Sequence, residues 1–461
     1  MINFSRLAAL AACLGVTACS HAPLQERPAV NIPANWQTAT TGGIENPQAW
    51  WRNFHDPQLD GSIERALRTN NDFAIAMLRV RRSHLQEALT GTNRTPAITA
   101  GASTGLTRSF DPAANLRASG IVSGFSYEVD LWGRLASLRD ASHWEAGAVQ
   151  NDCRAFGAAL VGTTAKLYWR LAYLNQLLAM ADADIDYAQQ TLNLTHRKYD
   201  AGASSGLNTA EAELNLLNLQ SNRTQLLQQR TESRNALAIL FDQAPAAGAQ
   251  ERTLLPEDPL PIIGAGIPAQ ILANRPDLMA AEWRLREASS QVDATRASFY
   301  PVLSLTGGLG TASTGLLDIL RNPFAALGAG LAFPFVQLPT ARLTTQVSES
   351  QYQESVVAFR QSLYSALAEV ENLLSARTQL AADEALQRAA VAQARRAEAI
   401  ARVRFEAGAS DVQLWLDAQQ RVRTVERSLL ANRLNQFDVQ ADLYRALGLG
   451  IAAERLNCAA S

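Results

Sequence analysis

The chain has 461 residues, a formal net charge of −2 and a hydrophobic content of 47%. Without a basic field, neither nucleic acid nor an anionic membrane surface is an expected partner. Beyond the N-terminus no run of about 18 apolar residues offers a transmembrane helix, while long proline-free tracts rich in Ala, Leu, Gln and Arg point to long helices.

The first segment reads as a secretory signal, with Arg6 as the positive region and Leu7 to Val16 as the apolar stretch. Val16-Thr17-Ala18-Cys19 reads as a lipobox. Residues 1–18 are then the expected signal peptide, Cys19 the expected lipidated first residue, and residues 19–49, rich in Pro and Thr, a lipidated tether. An ordinary signal peptide with an incidental cysteine is the plainer alternative. Cys13 leaves with the signal. Cys153 and Cys458 remain; an oxidising compartment permits them to pair, but nothing in the sequence fixes their distance, and two inert thiols are the expectation.

A helix is predicted from Leu59 to Leu89, with Asp56 at its N-cap and Pro57 in its first turn. Residues 97–107 alternate weakly. Ile121, Ser123, Phe125, Tyr127, Val129 and Leu131 alternate clearly with small or polar residues, which is a strand pattern. Asp111-Pro112 lies in the loop between. From Gly133 to Tyr199 there is no proline. Leu160, Thr164, Leu167, Leu171, Leu174, Leu178, Ala181, Ile185, Ala188, Leu192, Thr195 and Tyr199 step by three and four, a coiled-coil seam. Such a helix is roughly 100 Å long. After a turn at Gly202 a helix runs from Leu207 to Phe241, and a Pro-rich linker follows. The second half then predicts a helix over Ala269–Ser298, strands at Leu303–Leu309 and Leu327–Phe335, a helix over Thr340–Phe405 and a last one over Asp411–Ala446.

The two halves repeat. Lys198-Tyr199-Asp200-Ala201-Gly202-Ala203-Ser204 returns as Arg404-Phe405-Glu406-Ala407-Gly408-Ala409-Ser410, 206 residues later. The expected organisation is a first repeat over 50–245 (hairpin 97–131), a linker over 246–267, a second repeat over 268–450 (hairpin 302–336) and a tail over 451–461. Each half is then a long rod beside a pair of half-length rods. Four strands cannot close a barrel in lipid, which needs about eight or more. The expected fold is mainly α with a small β part: an internally duplicated helical coiled-coil barrel, with four strands per chain given to a 12-stranded barrel shared by three copies.

The motifs resemble those of the TolC-type outer-membrane efflux factors, and within them the OprM-like (NodT-type) lipoproteins. Trp50-Trp51-x-x-Phe54-x-Asp56-Pro57-x-Leu59 looks like the family's opening motif. Glu128-Val129-Asp130-Leu131-Trp132-Gly133-Arg134, Arg275-Pro276-Asp277-Leu278, Phe299-Tyr300-Pro301 and Leu416-Asp417-Ala418-Gln419 are similar to its later signatures, and the resemblance covers the whole mature chain. Ser20 after Cys19 is similar to lipoproteins sorted to the Gram-negative outer membrane. Two places depart: Val336-Gln337-Leu338-Pro339 stands where relatives carry a glycine-rich turn, and Gln413 and Gln420 stand where they carry Leu and Arg. The resemblance implies a passive homotrimeric exit duct in outer-membrane lipid, docked to a periplasmic membrane-fusion adaptor and an inner-membrane RND-type pump. A type I protein-secretion duct and a poreless periplasmic scaffold are the alternatives.

No enzyme is expected. The five histidines lack metal-ligand spacing, so no metal site is predicted. Gly202-Ala203-Ser204-Ser205-Gly206 fits the G-x-S-x-G pattern but joins two helices, not a strand to a helix. Gly310 and Gly315 have phosphate-loop spacing, with Leu316 where lysine belongs. The candidate gate residues cluster at the two turns: Asp200, Gly202, Glu211, Gly408, Asp411, Gln413, Asp417 and Gln420. Asp411 is expected as a helix N-cap. Glu211 and Asp417, at corresponding positions, are the candidates for a charged ring at a constriction. Apart from the lipid on Cys19, no cofactor is expected.

Overall fold

The computed structural model describes residues 30–38, 48–107, 116–245, 251–264, 266, 268, 274–314, 322–450 and 458. The predicted signal and Cys19, the Asp111-Pro112 loop, the start of the Ala269–Ser298 helix and Gly315 lie outside them. The chain divides into two compact units, one with residues 94–141 and 285–360, the other with 32–93, 142–284 and 361–450 together with Cys458.

In the first unit, strands β1 (Ala97–Thr107), β2 (Leu116–Val129), β3 (Val302–Ser313) and β4 (Pro323–Ala332) form one antiparallel sheet in the order β1-β2-β3-β4. The register sets Ile98 beside Phe125, Phe125 beside Gly307 and Gly307 beside Leu327. Side chains alternate between faces along a strand, so one face carries Ile98, Ile121, Phe125, Tyr127, Val129, Leu303, Leu305, Leu309, Leu327 and Leu331. The other is built mainly of Thr99, Gly101, Gly124, Ser126, Ser304, Thr306, Gly308, Gly328 and Gly330. The Phe125 ring fits because Gly307 is bare: a Cβ there would lie 2.2 Å from it. Among the described residues much of the apolar face is left uncovered; Ile98 is 82% exposed and Leu327 86%. β1 and β4 each have one unpaired edge.

The exit from β2 explains its motif. Glu128 takes a forked ion pair from Arg134, at 2.8 Å. Asp130 accepts the Leu135 and Ala136 amides at 3.0 and 2.8 Å and caps the next helix. Trp132 donates to the Pro301 carbonyl at 2.8 Å and packs on Tyr300. That helix begins at Arg134, and the strand stops at Val129 rather than reaching Leu131. The fourth strand also falls short of the expectation. It ends at Ala332, and Pro334–Val336 is a 3-10 turn, because proline cannot donate to a ladder.

In the second unit, helix α1 is Pro57–Thr69 and α2 is Asn71–Thr92. The single helix expected from 59 to 89 is thus two. Asn70 is extended and its side chain accepts the Phe73 amide at 2.9 Å, starting a new helix. Helix α3 (Arg134–Asp200) carries the predicted seam: from Leu160 to Thr195 every seam residue is buried or half-buried, and only Tyr199 is exposed. Helices α4 (Gly206–Leu240), α5 (Pro276–Ala297), α6 (Leu338–Glu406) and α7 (Val412–Ala446) follow. Among the described residues no helix is long and apolar enough to cross a membrane, which says nothing of the strands.

The opening motif is a clamp on this unit. Trp50 stacks on Tyr444 at 4.7 Å, and Phe54 meets Trp169 and Phe437 at 5.0 and 5.9 Å. Asp56 caps α1 through the Gln58 and Leu59 amides and accepts the Tyr168 hydroxyl at 2.9 Å and the Arg252 guanidinium. Arg275, 6% exposed, forks onto Asp277 at 2.6 Å and Glu369 at 2.7 Å. Burial pushes the Asp277 carboxyl up, but the Arg275 hydrogen bonds outweigh it and hold it below the usual range. The expectation of two inert thiols is overturned. Cys153 and Cys458 form a disulfide across 305 residues, a pairing made by tertiary packing that local sequence does not encode.

Candidate functional site at the paired helix turns

The duplicated segments fold into the same turn. At the end of α3, Gly202 has φ +74° and the Ala203 amide reaches back to the Lys198 carbonyl at 2.7 Å. At the end of α6, Gly408 has φ +73° and the Ala409 amide reaches the Arg404 carbonyl at 2.8 Å. Both are Schellman caps, which need a left-handed residue that glycine supplies without steric cost. The Lys198 ammonium joins the two turns. It donates to the Phe405 carbonyl, and to that of Glu406 at 3.4 Å, while lying 4.2 Å from the centre of the Phe405 ring. A cation over the last carbonyls of a helix also meets the negative end of its dipole.

Below the turns, Glu398 of α6 is a hub. Its Oε1 accepts the Tyr187 hydroxyl and the Trp415 indole N–H, each at 2.7 Å, which fastens α3, α6 and α7 to one another. Burial, then the hydrogen bond to Glu398, push the Tyr187 hydroxyl up to about 12. Ala401, Phe405, Val412, Trp415, Leu416 and Ala418 pack as the apolar filling beside it.

Between α4 and α7 lies a cleft of about 420 Å³ lined by Glu211, Asn215, Asn218, Asn222, Gln413, Asp417, Gln420 and Arg427, with Leu214, Leu219 and Leu416. It gathers four of the predicted residues: Glu211, Gln413, Asp417 and Gln420. Gln413 donates to Asp417 at 2.8 Å, one helical turn on. Asp200, Gly202, Gly408 and Asp411 do not line it. Asp411 stands at the N-cap of α7, but its side chain makes no capping bond. The cap is instead found at the first turn, where the Ser205 hydroxyl accepts the Asn208 amide at 3.4 Å.

Sequence reasoning missed Arg423, only 3% exposed. Its guanidinium donates to Gln420 at 3.1 Å, Asn215 at 3.3 Å and Gln419 at 3.5 Å, all neutral amides. Burial lowers its pKa, with Asp184 opposing. Asp184 itself pairs with Arg427 at 3.1 Å, and burial still raises its carboxyl above the usual range. The signal for Arg423 was its place six residues after Asp417, on the face that also buries Leu416 and Gln419. A reading for apolar seams passes over a buried cation. Among the described residues no group of three His, Cys, Asp or Glu side chains is placed to hold a metal ion. The cleft offers neutral amides, two carboxylates and a guanidinium: a surface for hydrogen bonds and cations.

The model of the outer membrane efflux protein family matches residues 62–241 and 267–449. The pyoverdine export outer membrane protein OpmQ of Pseudomonas putida is 29% identical, with 96% of each chain covered. The outer membrane protein OprJ of Pseudomonas aeruginosa is 28% identical, over 96% of this chain and 95% of that one. Among solved structures, the open-state MtrE outer membrane channel of Neisseria gonorrhoeae superposes with a TM-score of 0.79 at 26% identity, covering 93% of this chain and 98% of the other.

Proposed function

The chain belongs to the outer membrane efflux protein family, and from that premise we propose that it is the passive, homotrimeric exit duct of a tripartite efflux pump for drugs, metals or other small solutes. The observation that carries this reading is the sheet of the first unit. Its four strands have an uncovered apolar face, a face of small and polar residues, and a free edge at each side. Open edges in lipid leave backbone groups without partners, at several kcal/mol each, so β1 of one copy must pair with β4 of another. Three copies supply twelve strands, with the apolar face to lipid and the small, polar face to a water-filled lumen. The helical unit leaves its own uncovered surface. Ile75, Leu78, Leu85 and Leu89 form an exposed stripe along α2, which helices of neighbouring copies would bury.

The partners follow from the chemistry. No energy-coupling motif stands in the sequence, so the driving force comes from an inner-membrane RND-type pump, handed on by a periplasmic adaptor that docks at the Gly202 and Gly408 turns. Asp417 and Glu211 are the residues we assign to a cation-preferring constriction, with Gln413 and Gln420 as neutral hydrogen-bonding neighbours; Asp200 and Asp411 lie at the turns as solvated charge. Cys19 carries the lipid anchor. The test is native mass spectrometry of protein extracted from outer membranes, with bilayer conductance on the same sample. A trimer with acylated Cys19 and discrete conductance steps is expected. A stable monomer without conductance overturns the duct, and an unmodified N-terminus overturns the anchor.

A further inference from the structure

We propose that the uncovered stripe of α2 in one copy packs against the first turns of α6 in the next, as an antiparallel two-helix seam that continues the β1–β4 joint. The inference rests on the trimeric reading and names the surfaces that reading leaves open. In an antiparallel sheet of order β1-β2-β3-β4, β1 begins and β4 ends at the same rim. Four residues join α2 to β1, and five join β4 to α6. Where β1 of one copy pairs with β4 of another, connections this short bring the end of α2 beside the start of the other copy's α6. The chain enters the rim through α2 and leaves it through α6, so the two helices meet antiparallel.

Each helix has a satisfied face and a bare one. On α2, Phe73 and Val80 are buried; on α6, Ser348 and Tyr352 are. The bare faces share one period. Ile75, Leu78, Arg82, Leu85 and Leu89 step by three and four, and so do Leu343, Val347, Ser350, Glu354 and Val357; all ten are exposed. That is the spacing of a coiled-coil seam. Run in opposite directions, the two series stay in phase. With Leu89 against Leu343, Leu85 falls against Val347, Arg82 against Ser350, Leu78 against Glu354 and Ile75 against Val357. Three of the five layers are then apolar on both sides. Sliding the helices by one layer in either direction leaves at most two. The polar layers fit as well. Arg82 and Glu354 stand in adjacent layers, about 6 Å apart along the seam, which an arginine side chain spans. Neither has an ion-pair partner among the described residues. Water as the occupant would leave seven large apolar side chains uncovered.

The experiment coexpresses two full-length forms with different affinity tags, one with Leu85→Cys and the other with Val347→Cys. Mild oxidation of outer membranes should give a covalent dimer bearing both tags, since facing seam positions lie within disulfide range. Ala88→Cys, exposed on α2 but off the stripe, should give no such dimer with Val347→Cys. Equal cross-linking of the two pairs would overturn the assigned face. Native mass spectrometry on the same samples separates this inference from the one beneath it. A trimer without the Leu85–Val347 cross-link overturns the seam and leaves the duct standing; absence of any trimer removes both. Charge gives a second arm. Arg82→Glu should lower the temperature at which the trimer dissociates, and Glu354→Arg in the same chain should recover most of the loss. A double variant no better than the single one would overturn the register.

Discussion

Arg423 is a buried cation held by three amides and, among the described residues, by no carboxylate within ion-pair distance. Such a group depends on every bond it has, since each one lost leaves desolvated charge uncompensated. Gln420 provides the two shorter contacts among those its side chain and Gln419 offer, at 3.1 and 3.3 Å. Gln420→Ala should therefore destabilise the cleft by about 1–3 kcal/mol and raise resting conductance. Asp417→Ala, on the exposed side of α7, should leave stability alone and lower cation selectivity. Bilayer recordings with melting curves separate the two, and identical behaviour would mean that the cleft is not the constriction. Asp438 gives a pH prediction. Burial, with Asp442 adding to it against Lys166, pushes its carboxyl up to about 6. The folded state then holds a proton that the unfolded chain gives up near pH 4. Stability contributed by this proton is present below pH 4 and lost as pH rises towards 6. Asp438→Asn should flatten the melting temperature across that window and raise it at pH 7; an unaltered slope counts against the assignment.

At the scale of elements, the opening clamp shows what a motif is for. Asp56 caps α1 with one oxygen and holds Tyr168 and Arg252 with the other, 6% exposed. Burial and the adjacent Asp56 push the Tyr168 hydroxyl well above its usual value. Asp56→Ala removes a cap and takes the nearer acceptor from the buried Tyr168 hydroxyl and the partner from the half-buried Arg252, and should cost about 2–3 kcal/mol. A Tm drop of a few degrees or more is expected in detergent, and a value within a degree of wild type would show that the clamp rests on Trp50 and Phe54 instead. The cap itself was legible in the sequence, as were the α3 seam, the duplicated turns and the strand alternation, because each is written in local periodicity. The break at Asn70 was legible in principle, as an N-cap three residues before Phe73, but a continuous helical pattern on both sides hid it. The early end of β4 was marked by Pro334 and overruled by the apolar alternation of Phe333 and Phe335. The Cys153–Cys458 bond, the Glu398 hub and the Arg423 site were not legible. Each joins segments far apart in sequence, and only packing decides which side chains meet.

For the whole molecule, the decisive physical fact is that the sheet's two faces ask for different solvents. Leu305, Leu309, Leu327 and Leu331 stand exposed on one face, while Thr306, Gly308, Gly328 and Gly330 stand on the other. In water the first face is a liability for aggregation; in lipid it is the surface that holds the protein in place. The free edges of β1 and β4 then close by pairing between copies, so the fate of a single side chain depends first on the face it occupies, and on the lipid face also on its depth. Leu309→Arg places a charge against hydrocarbon and should cost about 2–4 kcal/mol in each copy if it lies near the bilayer midplane. A trimer carries that cost three times over, so the yield of heat-resistant trimer should collapse. Thr306→Arg, three residues away on the opposite face of the same strand, should leave the trimer intact, because its guanidinium reaches water. It should instead lower single-channel conductance and shift selectivity towards anions, as charge lining a pore does. Gel assays of the trimer and bilayer recordings of both variants make the comparison. Equal loss of trimer in both would mean that the small-residue face does not line water, and the duct with its lumen would have to be abandoned for a sheet buried on both sides.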